Sequence, residues 1–488
     1  MVAFAASSGR SITRSVNGYL PTLTWQLVRA RLAIREGAGI LSAASVFAYT
    51  ICATLALTVA GGTWLFYNRW RHPHGVLLDV LVIDPTYARL LNGYFVLALV
   101  ACALLVPTMV GLAAGAAVLG ARSRERRLSA LRLIGLSAGD VSKMSLLDNL
   151  LQSVAGTLLG LVCYLVSLPA WQLLEMQAMP LASSEMLLPW WGLAGVPLGT
   201  VLIGLVAGWW GLRMVRITPL GVARRTPPPG LRWWRLLVFA VALVAAGILV
   251  SRLELLSMAA FYVLAGIMLG CVVAVQLFAP WLLQVVSAGF ARLSGPTVIW
   301  AARRIQANAK QTWQRVYGIG LLGMIGGFIA VMPIHLTQDP DRDKLMRDVV
   351  AASQWDFTKG AIIALAVGFV ITATAILISQ ASAVFERAEQ SQALARMGTP
   401  TSYLTKVMWL ETLGPLIAAV GLGTMLGLMT AQPMVRLAAG FGFGTEPAAR
   451  LTVIIGVLVA GILLAIVALL VCGRLQHQVL AQIRRRND

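Results

Sequence analysis

Few residues of the 488-residue chain have types and spacing that could do chemistry. "RHPHG" sets His72 and His74 two positions apart. Two imidazoles can begin a zinc site, but such a site needs a third protein ligand, and none lies nearby. The stretch is expected to be an ordinary loop. "DPDRDKLMRDVV" begins with Asp339, Asp341 and Asp343, the opening of a calcium loop. Position six, however, is Lys344 where glycine must make the turn, and position twelve is Val350 where a bidentate glutamate is needed. A solvated, mixed-charge helix start is expected instead. Cys52, Cys102, Cys163, Cys271 and Cys472 fall inside or at the ends of apolar runs, without paired spacing. They read as small buried side chains, not as disulfides or metal ligands. No Ser-His-Asp, paired-carboxylate or CxxC arrangement stands out. No GxxxxGK[ST] phosphate loop occurs anywhere, so the chain is not expected to be an enzyme or to hydrolyse ATP itself.

Two carboxylates remain. Asp148 and Glu411 each lie about one turn inside an apolar run, five positions after Lys143 and Lys406 respectively. A carboxylate there is costly unless paired. Lys143, Lys406 or a residue of the other half of the chain is its expected neighbour. The pair would fix the base of a helix bundle or relay motion through it. Both carboxylates follow the same kind of polar interruption: "ALRLIGLSAGDVSK" at 130–143 and "ALARMGTPTSYLTK" at 393–406, a constant 263 positions apart. At that offset Arg124 meets Arg387, Leu131 meets Leu394, Gly135 meets Gly398, Lys143 meets Lys406 and Asp148 meets Glu411.

The elements that must position these residues are membrane spans. The chain is 58% hydrophobic and only 12% charged, about half the charge of a soluble domain. Apolar runs long enough to cross a ~30 Å hydrocarbon core recur along most of its length. About ten spans are expected, at 37–66, 92–120, 146–170, 191–212, 236–251, 256–285, 317–336, 360–383, 408–432 and 451–472. The fifth and sixth are joined only by "SRLE" and could form a tight helical hairpin. Period-two alternation is absent, which argues against a transmembrane barrel. The first span is expected to be retained, not removed as a signal peptide. Of the 39 Lys and Arg, 29 fall on the N-terminus, the tail and alternate flanks. The positive-inside rule then puts both termini in the cytoplasm. The net charge of +20 records topology and contact with anionic lipid, and nucleic acid is not needed to explain it. Trp190, Trp191, Trp209 and Trp210, at opposite ends of the fourth span, read as interface anchors.

The repeat gives the organisation. A basic amphipathic segment occupies 1–36, one four-helix unit 37–213, and a Pro-rich linker with two connecting spans 214–300. A second four-helix unit occupies 301–472, and a basic tail 473–488. Both units enter from the same side, so the repeats are parallel, related by an axis along the membrane normal. Two similar knobs would then face a two-fold symmetric partner. In the first knob Leu128, Leu131 and Ile134 recur at helical spacing, with Arg124, Arg127 and Arg132 elsewhere on the surface. Gly135 is a natural helix stop, and Ser137 or Asp140 can cap the next helix. In the second knob Gly398-Thr-Pro stops the helix, and Thr401 or Ser402 can cap the next.

"RERRLSALRLIGLSAGDVSKMSLLDNLLQSVAGTLLGL" and "FERAEQSQALARMGTPTSYLTKVMWLETLGPLIAAVGLGTMLGL" resemble the FtsX-like (MacB-type, type VII) permease family of ABC transporters. The family form is a charged helix, a leucine-rich turn with glycine, a basic position, an acid, then a glycine-containing span. The layout is closest to the bacitracin-exporter-type permeases, with two FtsX-like units in one chain. It lacks the large extracellular domain of many relatives, because 67–91 and 337–358 are short.

The resemblance implies an all-α polytopic protein of a bacterial cell membrane, with no cofactor of its own. ATP and magnesium would belong to a separate cytoplasmic ATPase dimer, two ATPases per chain. These would dock on Arg124, Arg127, Leu128, Leu131, Arg132, Ile134 and Gly135, and on Arg387, Leu394, Arg396, Met397 and Gly398. The implied activity is mechanotransmission that moves or extracts an amphipathic compound such as an antimicrobial peptide, drug or lipid. The alternative is an ATPase-coupled transducer controlling an extracellular or sensor-kinase partner, with nothing transported.

Overall fold

The computed structural model describes residues 37–85, 87–133, 138–216, 232–251, 258–293, 295–331, 344–386, 393–394 and 396–440, with scattered residues from 456 to 470. The elements in chain order are helices α1 (Gly37–Arg71), α2 (Val76–Ile83), α3 (Tyr87–Leu133) and α4 (Ala138–Trp171). A two-stranded hairpin follows, β1 (Glu175–Met176) and β2 (Met179–Pro180). Then come α5 (Ser183–Met186), α6 (Trp190–Arg216), α7 (Trp234–Ser251), α8 (Met258–Leu293) and α9 (Pro296–Ala307). The last three are α10 (Ala309–Val331), α11 (Lys344–Glu386) and α12 (Thr401–Gly440).

Among the described residues, five stretches are long and apolar enough to cross a membrane: Ser42–Arg71, Ser142–Trp171, Trp190–Trp209, Gly266–Arg292 and Ser402–Gln432. Three shorter apolar helical stretches are Thr108–Ala117, Trp234–Leu249 and Ile362–Ile378. The expected spans at 236–251 and 256–285 are represented by α7 and α8, and the six residues between them lie outside the described ones. The expected span at 451–472 also falls largely outside.

The chain divides into two compact units. One comprises Met1–Thr54, Val110–Cys163 and Trp191–Arg224, the other Leu55–Met109, Tyr164–Trp190 and Arg225–Asp488. In the first unit, side-chain hydrogen bonds tie helix to helix. Ser45 on α1 donates to the Ala116 carbonyl on α3 (3.0 Å). Tyr49 donates to Oδ1 of Asn149 on α4 (3.3 Å), whose Nδ2 donates to the Gly204 carbonyl on α6 (2.9 Å). Gly156 and Gly160 let α4 lie directly on α1. A Cβ at Gly156 would sit 2.7 Å from the Val46 carbonyl oxygen, and one at Gly160 2.8 Å from that of Thr50. Lipid offers apolar side chains no less than a neighbouring helix does, so such close backbone approach and interhelical hydrogen bonds are what hold spans together.

The second unit uses the same device between α10 and α12, its most extensive helix pair. Gly320, Gly323 and Gly327 face Ala419, Val420, Gly423, Thr424 and Gly427, and a Cβ at Gly423 or Gly427 would collide with α10 backbone. Around this seam a core gathers Trp313, Tyr317 and Phe328 with Cys271, Val275 and Leu283 of α8. Phe239 of α7 stacks on Phe278 of α8 at 4.4 Å between ring centres. Leu77 and Val80 of α2 pack with Tyr87 and Leu91 of α3 and Val349 of α11.

Two departures from the sequence reading appear here. The stretch 67–91 is largely helical, filled by the end of α1, by α2 and by the start of α3. The stretch 171–190, between the expected third and fourth spans, holds the β1–β2 hairpin and α5. A two-residue strand is below the length at which alternation can be seen in a sequence.

Candidate functional site

A cluster of buried polar residues in the second unit surrounds that hairpin. Its register pairs Met176 with Met179, leaving Gln177 and Ala178 as the two central residues. Both have positive φ, 61° and 57°. This is the geometry of a type I′ turn, ordinarily made by Asn-Gly. For residues with a Cβ each such conformation costs about 1–2 kcal/mol. Interactions from outside the hairpin offset that cost.

Arg69, at the end of α1, is 1% exposed. Its Nη1 donates to the Met176 carbonyl (2.8 Å) and its Nη2 to the Pro180 carbonyl (3.0 Å). The same guanidinium grips Glu185 in α5, Nη2 to Oε2 at 2.7 Å and Nε to Oε1 at 3.2 Å. Glu185 also accepts the Ala182 backbone N–H (3.3 Å) and faces His74 Nε2 at 3.0 Å. Burial alone would raise the Glu185 carboxyl, but the Arg69 hydrogen bonds and charge, the Ala182 N–H and His74 outweigh it. The net result lies below the usual carboxylate range.

On its other side the hairpin meets α11. Asp356, near the start of that helix, accepts the Gln177 backbone N–H (2.6 Å) and the Tyr94 hydroxyl (3.1 Å) on Oδ2. Lys359 stands 3.6 Å from Oδ1 and donates to the Glu175 carbonyl (2.7 Å). Burial raises the Asp356 carboxyl above its ordinary value despite these partners. Oδ1 itself accepts no hydrogen bond, and the Gln177 side-chain amide and the Tyr87 hydroxyl are likewise buried without one.

Next to this cluster lies a cavity of about 240 Å³ in the same unit. Phe66, Leu97, Leu105, Met324, Phe328 and Val367 are among its apolar walls, and Met176, Leu181 and Met186 of the hairpin region close one side. Among the described residues lining it, Asp356 is the one that carries a charge.

The sequence reading singled out none of Arg69, Glu185, Asp356 or Lys359. The available signals were weak: an arginine at the end of an apolar run, and "QWDFTKG", an acid and a lysine one turn apart. His74 is drawn to Glu185, and its Nδ1 lies 3.3 Å from the His72 carbonyl oxygen. Among the described residues no group of three His, Cys, Asp or Glu could hold a metal.

The residues that the sequence did single out lie elsewhere. Arg124, Arg127, Leu128, Leu131 and Arg132 fall in the last turns of α3; Ile134, Gly135 and Arg387 lie outside the described residues. Lys143 is exposed near the start of α4, and Asp148 is buried one turn further on. In the second segment Leu394 is half-buried, and Arg396 and Met397 are exposed. Gly398 has φ +86°, and the Thr399 N–H reaches back to the Leu394 carbonyl (3.0 Å). That is the long bond of a Schellman stop, with glycine where only glycine is unstrained. Glu411 is buried on α12 and faces two guanidinium groups, Arg304 of α9 at 3.6 Å and Arg315 of α10 at 4.0 Å. Arg304 also lies over the Trp300 ring, 4.9 Å from its centre. Lys406 is exposed.

No curated protein matches the sequence. Residues 99–220 match the family model of the FtsX-like permease C-terminal domain. The matched stretch takes in most of α3, all of α4, the hairpin with Glu185, and α6. Domains of this family are the non-catalytic membrane subunits of ABC transporters, which pair with ABC ATPase subunits. Residues 99–220 are therefore an FtsX-like permease domain, set in a multi-pass helical membrane protein.

Proposed function

We propose that the chain is the transmembrane permease subunit of an ATP-driven ABC transporter, and that it moves or extracts an amphipathic or hydrophobic compound by mechanotransmission. The observation that carries this is the family match over 99–220, which spans the interruption at 122–143. A second FtsX-like unit over 301–472 is proposed on the 263-residue echo of that interruption. Ten spans are proposed on the apolar runs, and both termini in the cytoplasm on the charge count of the flanks.

In this scheme the two ATPases of a dimer dock on the turns at 122–143 and 385–406. Nucleotide-driven closure would push the turns together. In the second copy the turn leads directly into α12, whose base carries Glu411 against Arg304 and Arg315. Those contacts support a rigid attachment of the turn to the bundle, so that displacement is carried along the helices. A compound arriving through the bilayer suits a chain whose stretches between spans are short.

The test is the native mass of the detergent-purified chain co-expressed with a candidate ABC ATPase. A complex of one chain with two ATPases is expected. A chain that purifies with no nucleotide-binding partner overturns the proposal and leaves an autonomous transporter.

A further inference from the structure

We infer that the groove between α9 and α12 holds an anionic phospholipid, its phosphate on Lys406 and one acyl chain along the exposed face of α12 that Lys406 begins.

The groove is open and encloses about 490 Å³. Thr297 of α9 forms one wall, and Thr405, Lys406, Trp409 and Leu410 of α12 form the other. Its level in a bilayer follows from its neighbours. The span-length stretch Gly266–Arg292 ends, and the stretch Ser402–Gln432 begins, beside α9. α9 packs against both α8 and α12, and its Trp300 ring lies 5.7 Å from that of Tyr403. Two span ends with paired aromatic rings mark the depth at which a bilayer carries its headgroups.

The charge of this end is one-sided. The sequence holds no Asp or Glu between Glu254 and Asp339, whereas Arg292, Arg303, Arg304, Lys310 and Arg315 all fall there. Glu411 of α12 takes up Arg304 and Arg315. Arg292, Arg303, Lys310 and Lys406 are exposed, and none forms an ion pair among the described residues. Such a cluster attracts a headgroup of net negative charge. A zwitterionic headgroup brings its own cation into the same field and gains less.

The tail has a track. Lys406, Leu410, Gly414 and Ile417 are exposed and recur every three or four residues, so they form one stripe along α12. A Cβ added at Gly414 would meet nothing within 4 Å. At ~1.5 Å rise per residue the stripe runs about 16 Å from Lys406 to Ile417, close to half of a ~30 Å hydrocarbon core. One cation at the head of an apolar stripe matches a phosphate followed by an acyl chain. A soluble phosphate would leave the stripe unused.

This inference stands apart from the permease proposal. The test places the full chain in phosphatidylcholine nanodiscs with a trace of phosphatidylglycerol carrying a diazirine in one acyl chain. Phosphatidylcholine with the same diazirine chain is the control, and labelled peptides are mapped by mass spectrometry. The phosphatidylglycerol probe is expected to label the α12 peptide spanning 407–417 ahead of the control. Lys406→Gln should lower that labelling about fivefold, the worth of one basic residue at an anionic surface, and leave the control unchanged. Lys406→Arg should retain it. Lys310→Gln, which removes the same charge at the same end, should change it less than about twofold if Lys406 is the contact. Excess glycerol 3-phosphate should not compete. Equal labelling by the two probes, equal losses from Lys310→Gln and Lys406→Gln, or competition by glycerol 3-phosphate overturns the inference. Co-purification of the ATPase is followed on the same variants. Its loss from Lys406→Gln with phosphatidylglycerol labelling intact would assign the groove to the ATPase, and its absence from the unsubstituted chain would count against the permease proposal alone.

Discussion

The Arg69 guanidinium meets the Glu185 carboxylate side-on through two hydrogen bonds, Nη2 to Oε2 at 2.7 Å and Nε to Oε1 at 3.2 Å, while it also holds two hairpin carbonyls. One buried side chain thus fixes the end of α1, both strands and α5. Removing it strands a mostly buried carboxylate and two carbonyls. Arg69→Met should cost about 3 kcal/mol, the low end for breaking a buried pair. Hydrogen exchange over 174–186 should rise by a factor of about 100 or more. Arg69→Lys should recover only part of this, since an ammonium lacks the planar fork. Exchange that stays at the level of the unsubstituted protein would show that the hairpin is held by Asp356 alone.

Glu185 and Asp356 titrate in opposite senses. Glu185 is held below the ordinary carboxylate range. Its contribution is therefore fully present above the unfolded value and is lost as pH falls through the depressed folded one. Asp356 is held above that range. The folded chain binds its proton more readily than the unfolded chain, so stability rises as pH falls through the raised value. On acidification from neutral pH, hairpin protection should first increase and then collapse. Asp356→Asn should flatten the first phase and Glu185→Gln the second, measured by exchange over 174–186 across pH 7 to 3. A single monotonic fall in the unsubstituted protein would contradict the assigned directions.

How much of this was legible in the sequence depended on the length scale of each feature. Long helices announce themselves through sustained apolar runs, and α1, α4, α6, α8 and α12 were found at nearly their observed positions. Gly398 was legible as a helix stop, because a glycine before Thr-Pro has few other uses. The Arg69–Glu185 clamp was not legible. Its partners are 116 positions apart, and nothing in either neighbourhood points to the other. Asp356 was equally hidden, because its partners Tyr94 and Gln177 come from elements separated from it by 262 and 179 positions. The partners of Glu411 were half visible. The cost of an unpaired carboxylate requires a partner for it, but nothing in the sequence points to Arg304 and Arg315 as the residues that face it.

The turns proposed to dock the ATPase make a separate prediction. Leu131→Asp with Ile134→Asp, or Leu394→Asp with Met397→Asp, should abolish ATPase co-purification. Met397 is 73% exposed, so its change should cost the isolated chain less than about 0.5 kcal/mol of stability. Each pair should act alone if two ATPases must bind together. ATPase retained by both double variants would place docking elsewhere.

The glycines of α12 supply an internal control for the packing account. Gly421 meets nothing within 4 Å when a Cβ is added, whereas Gly423 and Gly427 meet α10 backbone at Gly320 and Met324. Backbone cannot rotate away as a flexible side chain can, so the two helices must separate to admit even one methyl group. Gly423→Ala and Gly427→Ala should each destabilise the chain by about 1–3 kcal/mol, the cost of overpacking a close contact. Gly421→Ala should be neutral or stabilising by up to about 1 kcal/mol, since alanine restricts the unfolded chain and is a better helix former. Thermal unfolding midpoints in one detergent would rank the three variants. Parallel losses at all three positions would mean that helix flexibility, and not the α10–α12 seam, sets the stability of this unit.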